Sequence, residues 1–348
     1  KTKTGFSTDA SSLMSLQNLV AKEDIQTFKI LENILKYRHL TKIKSTYVDT
    51  IPKLIDTKSG KLHTIYNQTG TSTGRISSAE PNVQNIPIKT NLGLRVRKAF
   101  ITQSQQKSVL MSADYSQIEL RVLAHFTKDQ NLLKSFQNGI DIHASTASKI
   151  YKIPIEDISQ EMRRIAKIMN FGVIYGLSPY GISQQTGLTP DQGKNFTETY
   201  FNEFPGILKY IQDTKLMVKE NGFTQTILGK RRYLPEIHSK DFRIRASAER
   251  MAINMPIQGT AAEIIKLAMI NIQKKLLEQN LKSIITIQVH DELIFEVPKN
   301  ELVEMADLAT KTMSTSLRLQ VPLEIDIKSG KNWGEMTPIN IQLKSDLI

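Results

Sequence analysis

The chain has 348 residues, 40% of them apolar, which is enough to bury a substantial core and to form more than one subdomain. Its 46 Lys and Arg residues against 34 Asp and Glu residues give a formal net charge of +12, which favours a polyanionic partner such as nucleic acid without requiring one. Cysteine is absent, which excludes disulfides, thiolate zinc sites and cysteine nucleophiles, so any metal must be held by oxygen or imidazole ligands.

The sequence carries no sign of membrane insertion or of secretion. No stretch reaches the roughly 18 consecutive apolar residues of a spanning helix, and the N-terminus lacks the order of a signal peptide. We therefore expect a protein that works inside the cell and has no membrane partner. Because the chain begins at Lys1 rather than at methionine, we also expect it to be a piece of a longer protein.

The first third of the chain is predicted to begin with helix and to continue with extended segments. Residues 7–35 combine capping residues with helically spaced apolar positions, which predicts helix. Residues 44–55 and 61–68 are rich in β-branched and aromatic side chains, which predicts short strands. A polar loop is expected over residues 70–85, and residues 108–116 predict an apolar strand that leads directly into a helix.

The rest of the chain is predicted to be mainly helical before it returns to strands. Helical spacing extends over about residues 123–247, with breaks at glycines and prolines, and further helices are expected over 245–255 and 263–279. Residues 283–298 predict two consecutive strands. We expect these strands to join the earlier apolar strand in one sheet. Because a helical module separates the two sheet regions along the chain, the fold class is α+β rather than alternating βαβ units.

Two aspartates occupy the ends of predicted strands. Asp114 closes the apolar strand, and Asp291 lies with His290 at the junction of the last two strands. A carboxylate beside an apolar sheet is unfavourable unless it is paired, hydrogen-bonded or bound to a metal. Either aspartate alone is better explained as a turn cap, but the two together favour a shared cation. Oxygen ligands of this kind suit magnesium, whose shell is completed by substrate phosphates and water.

A second constellation lies on a predicted helix. Arg163, Lys167 and Phe171 are spaced four residues apart, so they drift by only about 40° per step and form one stripe. Two cations and a flat ring suit a triphosphate with its sugar or base. In isolation, the same spacing is more often a solvated basic face with one core phenylalanine.

Two polar segments are weaker indications of nucleic-acid contact. Small hydroxyl, amide and glycine residues surround Arg75, which lets the chain approach phosphates or base edges closely. Arg250 and Asn254 lie one helical turn apart, and Gln258 follows a proline. Each segment is explained equally well as an ordinary polar loop, or as helix capping and internal hydrogen bonding.

Three segments taken together resemble a known family. DYSQIELR at 114–121, the pattern R-x3-K-x3-FG-x2-YG at 163–176 and VHDE at 289–292 are similar, in order and spacing, to motifs A, B and C of the family A DNA polymerases. TGRISSAEPNVQNIP, DIHASTAS and NMPIQGTAAE extend the resemblance over nearly the whole chain. The joint, ordered occurrence of these motifs makes coincidence negligible.

The resemblance implies a right-hand polymerase fold, with an antiparallel palm sheet, helical fingers and part of a helical thumb. It places the thumb remnant at residues 1–40, the first part of the palm at 41–122, the fingers at 123–245 and the rest of the palm at 246–348. The implied activity is template-directed addition of deoxynucleotides to a primer 3′ end, with release of pyrophosphate, in DNA replication or repair. We expect a monomer that works in a bacterial cytoplasm or an organelle.

The resemblance also implies roles for individual residues. Two magnesium ions would be held by Asp114, the backbone carbonyl of Tyr115 and Asp291, with Glu292 beside them in the catalytic set and Lys167 as the proton donor to pyrophosphate. The incoming deoxynucleoside triphosphate would contact Arg163, Lys167, His143, Phe171, Glu119, Tyr175 and Gln117. Primer–template DNA would contact Arg75, Gln258, Arg250, Asn254, His290 and Asn85.

Two other functions share parts of this pattern. A single-subunit RNA polymerase has the general layout of the three motifs, but Glu119 resembles the steric gate that excludes a 2′ hydroxyl and so favours DNA synthesis. A non-catalytic DNA-binding scaffold would have no evident reason to keep both aspartates, Arg163 and Lys167. Phe171 is the family's phenylalanine variant rather than its tyrosine variant, which predicts poor acceptance of dideoxynucleotides.

Overall fold

The computed structural model of the chain describes residues 5–20, 24–88 and 90–339. Parts of the predicted thumb remnant and of the last predicted palm segment therefore lie outside the described residues. By its internal contacts the chain divides into two compact units. The first unit consists of the described parts of Lys1–Ile65, Ser78–Gln103 and Asn332–Gly334, and the second of the described remainder. The predicted boundaries of thumb, palm and fingers stay predictions.

The first unit is mainly helical. Its helices are α1 (Ala10–Val20), α2 (Ile25–Ile43) and α3 (Asn91–Lys98), so the helix predicted near the N-terminus is confirmed where it is described. Asp24 begins α2 by accepting hydrogen bonds from the backbone N–H groups of Gln26 and Thr27.

The strand predicted at residues 44–55 is wrong. The chain instead continues from α2 through a π-helical turn, Lys44–Val48, and a 3₁₀ turn, Ile51–Leu54. The aromatic Tyr47 that suggested a strand is buried, and its hydroxyl donates to the carbonyl oxygen of Asn85 at 2.6 Å. This tertiary contact outweighs the β preference of the side chains.

Two short strands lie where the chain passes from the first unit to the second, after Ile65, and where it returns, at Ser78. Strand β1 (Ile65–Asn67) falls inside the segment 61–68 that was predicted to be extended. Strand β2 (Ser77–Ala79) lies inside the segment predicted to be a polar loop. A 3₁₀ turn, Val83–Asn85, then leads toward α3.

The second unit contains the main sheet. Its strands are β3 (Ser108–Tyr115), β4 (Phe223–Gln225), β5 (Arg231–Tyr233), β6 (Ile284–Val289), β7 (Glu292–Pro298), β8 (Ile325–Gly330) and β9 (Thr337–Pro338). Five of them form an antiparallel sheet in the order β6-β7-β3-β8-β9, while β4 and β5 form a separate hairpin. The predicted joining of the apolar strand with the later hairpin in one sheet is confirmed.

The helices of the second unit lie between and after these strands. They are α4 (Ile118–Thr127), α5 (Gln130–Gln137), α6 (Ile142–Tyr151), α7 (Gln160–Ile174), α8 (Pro179–Thr186), α9 (Pro190–Glu203), α10 (Pro205–Asn221), α11 (Phe242–Glu278) and α12 (Leu302–Ser314). The predicted helical module between the two sheet regions is confirmed. Throughout the described ranges, every helix falls short of the length and apolar character needed to span a bilayer.

Helix α11 corrects one prediction. Two helices were expected over 245–255 and 263–279, but one helix of 37 residues continues through Pro256. Proline removes one backbone hydrogen bond and usually breaks or kinks a helix. Here Met255, Pro256 and Ile257 are all buried, so packing on both sides of the proline keeps the helix continuous.

The sheet and the helices around it share one apolar core. Helices α11 and α12 pack against the sheet, α4 packs against α11, and α7 packs against α4 and α11. Fully buried members of this core include Leu120, Met169, Ile264, Phe295 and Met305. The strand ends that carry Asp114 and Asp291 are therefore held by a rigid base.

Candidate active site

The central strand of the sheet brings three carboxylates to one face. Asp114 on β3 lies opposite Glu292 on β7 and opposite Asp326 on β8. Side chains of directly opposed residues in antiparallel strands point to the same face of a sheet. Asp326 was not predicted from the sequence, because its place beside Asp114 depends on a pairing between strands that are distant along the chain.

Asp291 joins this group through the turn between β6 and β7. The Tyr115 backbone N–H donates to the Asp291 carbonyl oxygen at 3.2 Å, which ties the turn to the end of β3. His290 has a positive φ of 51°, which is uncommon for a residue other than glycine. The Gln288 amide donates to the His290 carbonyl oxygen at 2.6 Å and stabilises this turn. The predicted junction of two strands at these residues is confirmed.

Both aspartates hold protons more tightly than ordinary carboxyl groups. The pKa of Asp114 is raised to about 7, first by burial and then by the charges of the three neighbouring carboxylates, with Lys328 acting in the opposite direction. The pKa of Asp291 is raised to about 6, mainly by burial, while Arg75 lowers it and Glu119 raises it. Negative charge is crowded at this end of the sheet.

These oxygen donors fit a hard divalent cation. Among the described residues, no group of three or more His, Cys, Asp or Glu side chains forms a ready-made metal cage. Magnesium does not need one, because it is usually held by one or two carboxylates and keeps water and phosphate ligands. A cation between Asp114 and Asp291 would favour their ionised forms and so oppose the burial and the neighbouring negative charges that raise their pKa values.

Tyr115 anchors the end of β3 from the opposite face. Its side chain is buried, and its hydroxyl donates to the Met313 carbonyl oxygen on α12 at 2.8 Å. The Tyr115 side chain is thus fully used in packing, so only its backbone carbonyl is a candidate metal ligand.

The predicted cationic stripe lies on one helix. Arg163, Lys167 and Phe171 all belong to α7, and both cationic side chains are exposed. Arg163 pairs with Asp141, whose Oδ2 accepts from Nη2 at 2.6 Å and from Nε at 3.0 Å. Asp141 was not predicted as a site residue. Its other oxygen caps α6 by accepting from the backbone N–H groups of His143 and Ala144.

His143 lies beside the stripe and is buried. Its ring centroid is 5.8 Å from that of Phe171. The pKa of His143 is lowered to about 4, mainly by burial and also by the charges of Arg163 and Lys167, while Asp141 opposes the shift. The imidazole is therefore neutral near pH 7.

Glu119, on α4, bonds to the residue that follows α7, and its charge raises the pKa of Asp291 at the end of the sheet. Its Oε1 accepts from Arg75 Nη2 at 2.6 Å, and its Oε2 accepts from the Tyr175 hydroxyl at 3.0 Å. The carboxylate is only 5% exposed, so this bonding fixes its position. Gln117 precedes α4 with a positive φ of 53°, and its backbone carbonyl oxygen accepts from the Leu120 backbone N–H at 3.1 Å.

The predicted DNA-contact residues fall in both units. Arg250, Asn254 and Gln258 lie along α11. A Cβ added at Gly176, just after α7, would come within 2.6 Å of Arg250 Cγ, so that glycine permits the two segments to approach. Asn85 belongs to the first unit. No observation tests the DNA contacts of these residues, and they stay predictions.

The model of DNA polymerase family A matches residues 1–335. The chain is 45% identical over 333 residues to DNA polymerase I of Geobacillus stearothermophilus, covering 96% of the chain and 37% of that protein. It is 46% identical over 304 residues to the thermostable DNA polymerase I of Thermus aquaticus, covering 87% of the chain and 36% of that protein.

A solved structure is also similar. The POL domain of Pol1 from M. smegmatis, in complex with DNA primer-template and dNTP, superposes with a TM-score of 0.89 at 42% identity. The match covers 96% of the chain and 57% of that structure. The chain thus spans a little over one third of the length of these curated relatives.

Proposed function

Because the chain belongs to DNA polymerase family A, we propose that it adds deoxynucleotides to the 3′ end of a primer under the direction of a template, with release of pyrophosphate. The expected right-hand polymerase fold is confirmed by the superposition. The observation that supports the activity best is the pairing of Asp114 with Glu292 across the sheet, next to the Asp291 turn and within electrostatic range of Glu119.

Asp114 and Asp291 are the proposed metal ligands, with the Tyr115 carbonyl and with Glu292 beside them. Two magnesium ions held there would lower the pKa of the primer 3′ hydroxyl and neutralise negative charge on the triphosphate. The carboxylates must be ionised for this task, and their raised pKa values make them sensitive to pH near neutrality.

Helix α7 and its neighbours are the proposed triphosphate site. Arg163 offers a planar fork, and Lys167 a compact charge, to phosphate oxygens. Lys167 would also hold the proton that leaves with pyrophosphate. His143, neutral and buried, would donate one hydrogen bond without adding charge.

The remaining nucleotide contacts follow from the position of Glu119. We propose that its carboxylate, held by Arg75 and Tyr175, excludes a ribose 2′ hydroxyl from the site. Phe171 would stack near the incoming sugar and base, and Tyr175 near the templating base. Gln117 lies where motif A turns into α4 and would approach the triphosphate with its backbone. Arg75, Arg250, Asn254, Gln258, His290 and Asn85 would contact primer and template.

Extension of a labelled primer tests the proposal against both rivals. Deoxynucleotides and ribonucleotides are supplied separately, with magnesium or with a chelator, and binding of the primer–template is measured in parallel. A DNA polymerase extends the primer only when deoxynucleotides and magnesium are both present. Equal use of ribonucleotides would favour an RNA polymerase, and duplex binding without any extension would favour a scaffold. That the protein acts inside a cell and as a monomer stays a prediction.

A further inference from the structure

Helices α6 and α7 share a buried polar cluster of His143, Thr146 and Asn170, of which the proposed function uses only His143. Asn170, one residue before Phe171, is fully buried, as is Thr146, and His143 is 2% exposed. Asn170 Nδ2 lies 3.1 Å from His143 Nδ1 and 3.1 Å from Thr146 Oγ1. Buried polar groups of this kind must satisfy one another, so their protons can be assigned by counting.

The Thr146 hydroxyl has one proton to donate. That hydroxyl lies 2.7 Å from the Ile142 carbonyl oxygen and 3.2 Å from Asn170 Oδ1. The proton therefore goes to the carbonyl oxygen of Ile142, the nearer of these two acceptors. Thr146 Oγ1 is then an acceptor, and the Asn170 amide nitrogen, which the structure places 3.1 Å away, donates to it.

The second proton of the Asn170 amide points to the His143 ring. Since the amide nitrogen is a donor, His143 Nδ1 must be the acceptor, and a neutral ring that accepts at Nδ1 carries its proton on Nε2. Burial and the nearby charges of Arg163 and Lys167 keep the ring neutral.

We propose that Asn170 is a positioning residue that fixes His143 as the Nε2–H tautomer, so that the ring presents a hydrogen-bond donor to the triphosphate of the incoming nucleotide. The nucleotide contact rests on the proposed function, whereas the tautomer rests only on the buried cluster. A residue that merely filled space would not select one tautomer, so the two explanations differ in a measurable way.

Nitrogen NMR of the histidine side chains tests the tautomer directly. The chain has six histidines, and the His143 signals are identified by their loss in a His143→Asn protein. In the parent protein at pH 7 we expect a bare Nδ1 and a protonated Nε2. A protonated Nδ1, or a charged ring, would overturn the proposal without reference to any activity.

Matched variants test the origin of the tautomer. Thr146→Ser keeps the hydroxyl and should retain the Nε2–H form, whereas Thr146→Val removes the acceptor that orients the Asn170 amide. Asn170→Asp replaces the donor by a carboxylate, which should draw the proton to Nδ1. If Thr146→Val and Asn170→Asp both keep the parental tautomer, the assignment to Asn170 is wrong.

Nucleotide kinetics test the consequence. Asn170→Asp and Thr146→Val should raise KM for deoxynucleotides about tenfold, as for a lost hydrogen bond to a charged group, with kcat changed much less. Thermal unfolding and primer–template binding show whether each variant is folded. Parental KM in folded variants with an altered tautomer would refute the nucleotide contact of His143. A parent protein that adds no nucleotide would instead refute the proposed function, while the NMR result would still decide the tautomer.

Discussion

The carboxylate end of the sheet and the cationic helix α7 are built in opposite ways. At the sheet, three acidic neighbours and burial raise the pKa of Asp114, and the opposing charge comes from Lys328. On α7, Arg163 and Lys167 are exposed, and the buried His143 beside them stays neutral. One region carries an excess of negative charge and the other an excess of positive charge.

Each region therefore favours a ligand of the opposite charge. A cation would stabilise the sheet end and an anion would stabilise the helix, and the metal–triphosphate complex of the proposed function would supply both charges together. Glu119, bonded to both Arg75 and Tyr175, connects the two regions. Variants that change the charge of only one region should therefore separate cation binding from nucleotide binding.

The largest effect is expected at Asp114. Replacing it by asparagine removes a proposed metal ligand and should slow single-turnover primer extension by about a thousandfold, on the order of 4 kcal/mol of lost charge stabilisation. Primer–template binding should be retained. A matched Asp326→Asn protein, changed on the same face of the sheet, should lose far less activity, and equal losses in the two would contradict the assignment.

The Asp114→Asn variant should also be more stable than the parent when metal is removed. The folded-state pKa of Asp114 is about 7 against an ordinary 3.8, so the folded protein binds this proton more tightly than the unfolded chain. Its contribution to stability is complete below the ordinary value and is lost as the pH rises through 7. In chelator at pH 8, Asp114→Asn should raise the free energy of unfolding by roughly 1–3 kcal/mol, and magnesium should then stabilise the parent more than the variant. A less stable variant in chelator would contradict this explanation.

The next largest effect is expected at Glu119, which lies between the two regions. Glu119→Ala removes the carboxylate held by Arg75 and Tyr175 and should reduce the preference for deoxynucleotides over ribonucleotides about a hundredfold, within the range that one pocket group provides. The measurement is the ratio of kcat/KM for the two nucleotides. Tyr175→Phe keeps the carboxylate and loses one hydrogen bond, so its preference should change much less. An unchanged preference in Glu119→Ala would exclude the steric role.

A smaller effect is expected at Phe171, on helix α7. Phe171→Tyr adds one hydroxyl beside His143 and should increase the use of dideoxynucleotides relative to deoxynucleotides by about tenfold, as for one new hydrogen bond to a charged ligand. Competition between the two nucleotide types on one template measures this ratio. The dependence on magnesium should stay parental, and an unchanged ratio would refute the predicted role of Phe171.

The smallest effects come from the charges around Asp114. Asp326→Asn removes a repelling charge and should move the acidic limb of the pH–rate profile to lower pH, whereas Lys328→Met should move it to higher pH. Because both side chains are exposed, each shift should be only a few tenths of a pH unit at physiological salt. Shifts in the same direction in both variants would show that another group controls the limb.

Much of this site follows local periodicity and was predictable from the sequence. The strand ending at Asp114, the turn at His290 and Asp291, and the stripe of Arg163, Lys167 and Phe171 each depend on a spacing of two or of about 3.6 residues, which the sequence displays directly. The structure places all of them as predicted.

The parts that were missed depend on partners distant in sequence. Pairing of Asp326 with Asp114 requires a sheet register across more than 200 residues, and the Asp141–Arg163 contact requires the packing of α6 on α7. In the same way, Tyr47 is held in a π-helical turn by Asn85, and Pro256 stays inside α11 because its neighbours are buried. Tertiary contacts of this kind override local propensity and leave no periodic trace.

The most direct test of the account is single-turnover extension of a labelled primer with each of the four deoxynucleotides offered separately, in the parent chain and in Asp291→Asn. We predict that the parent, with magnesium, adds only the nucleotide complementary to the template base. Asp291→Asn should bind the same primer–template and extend it about a thousandfold more slowly. Extension by Asp291→Asn at the parental rate, or addition that ignores the template, would contradict the central claim.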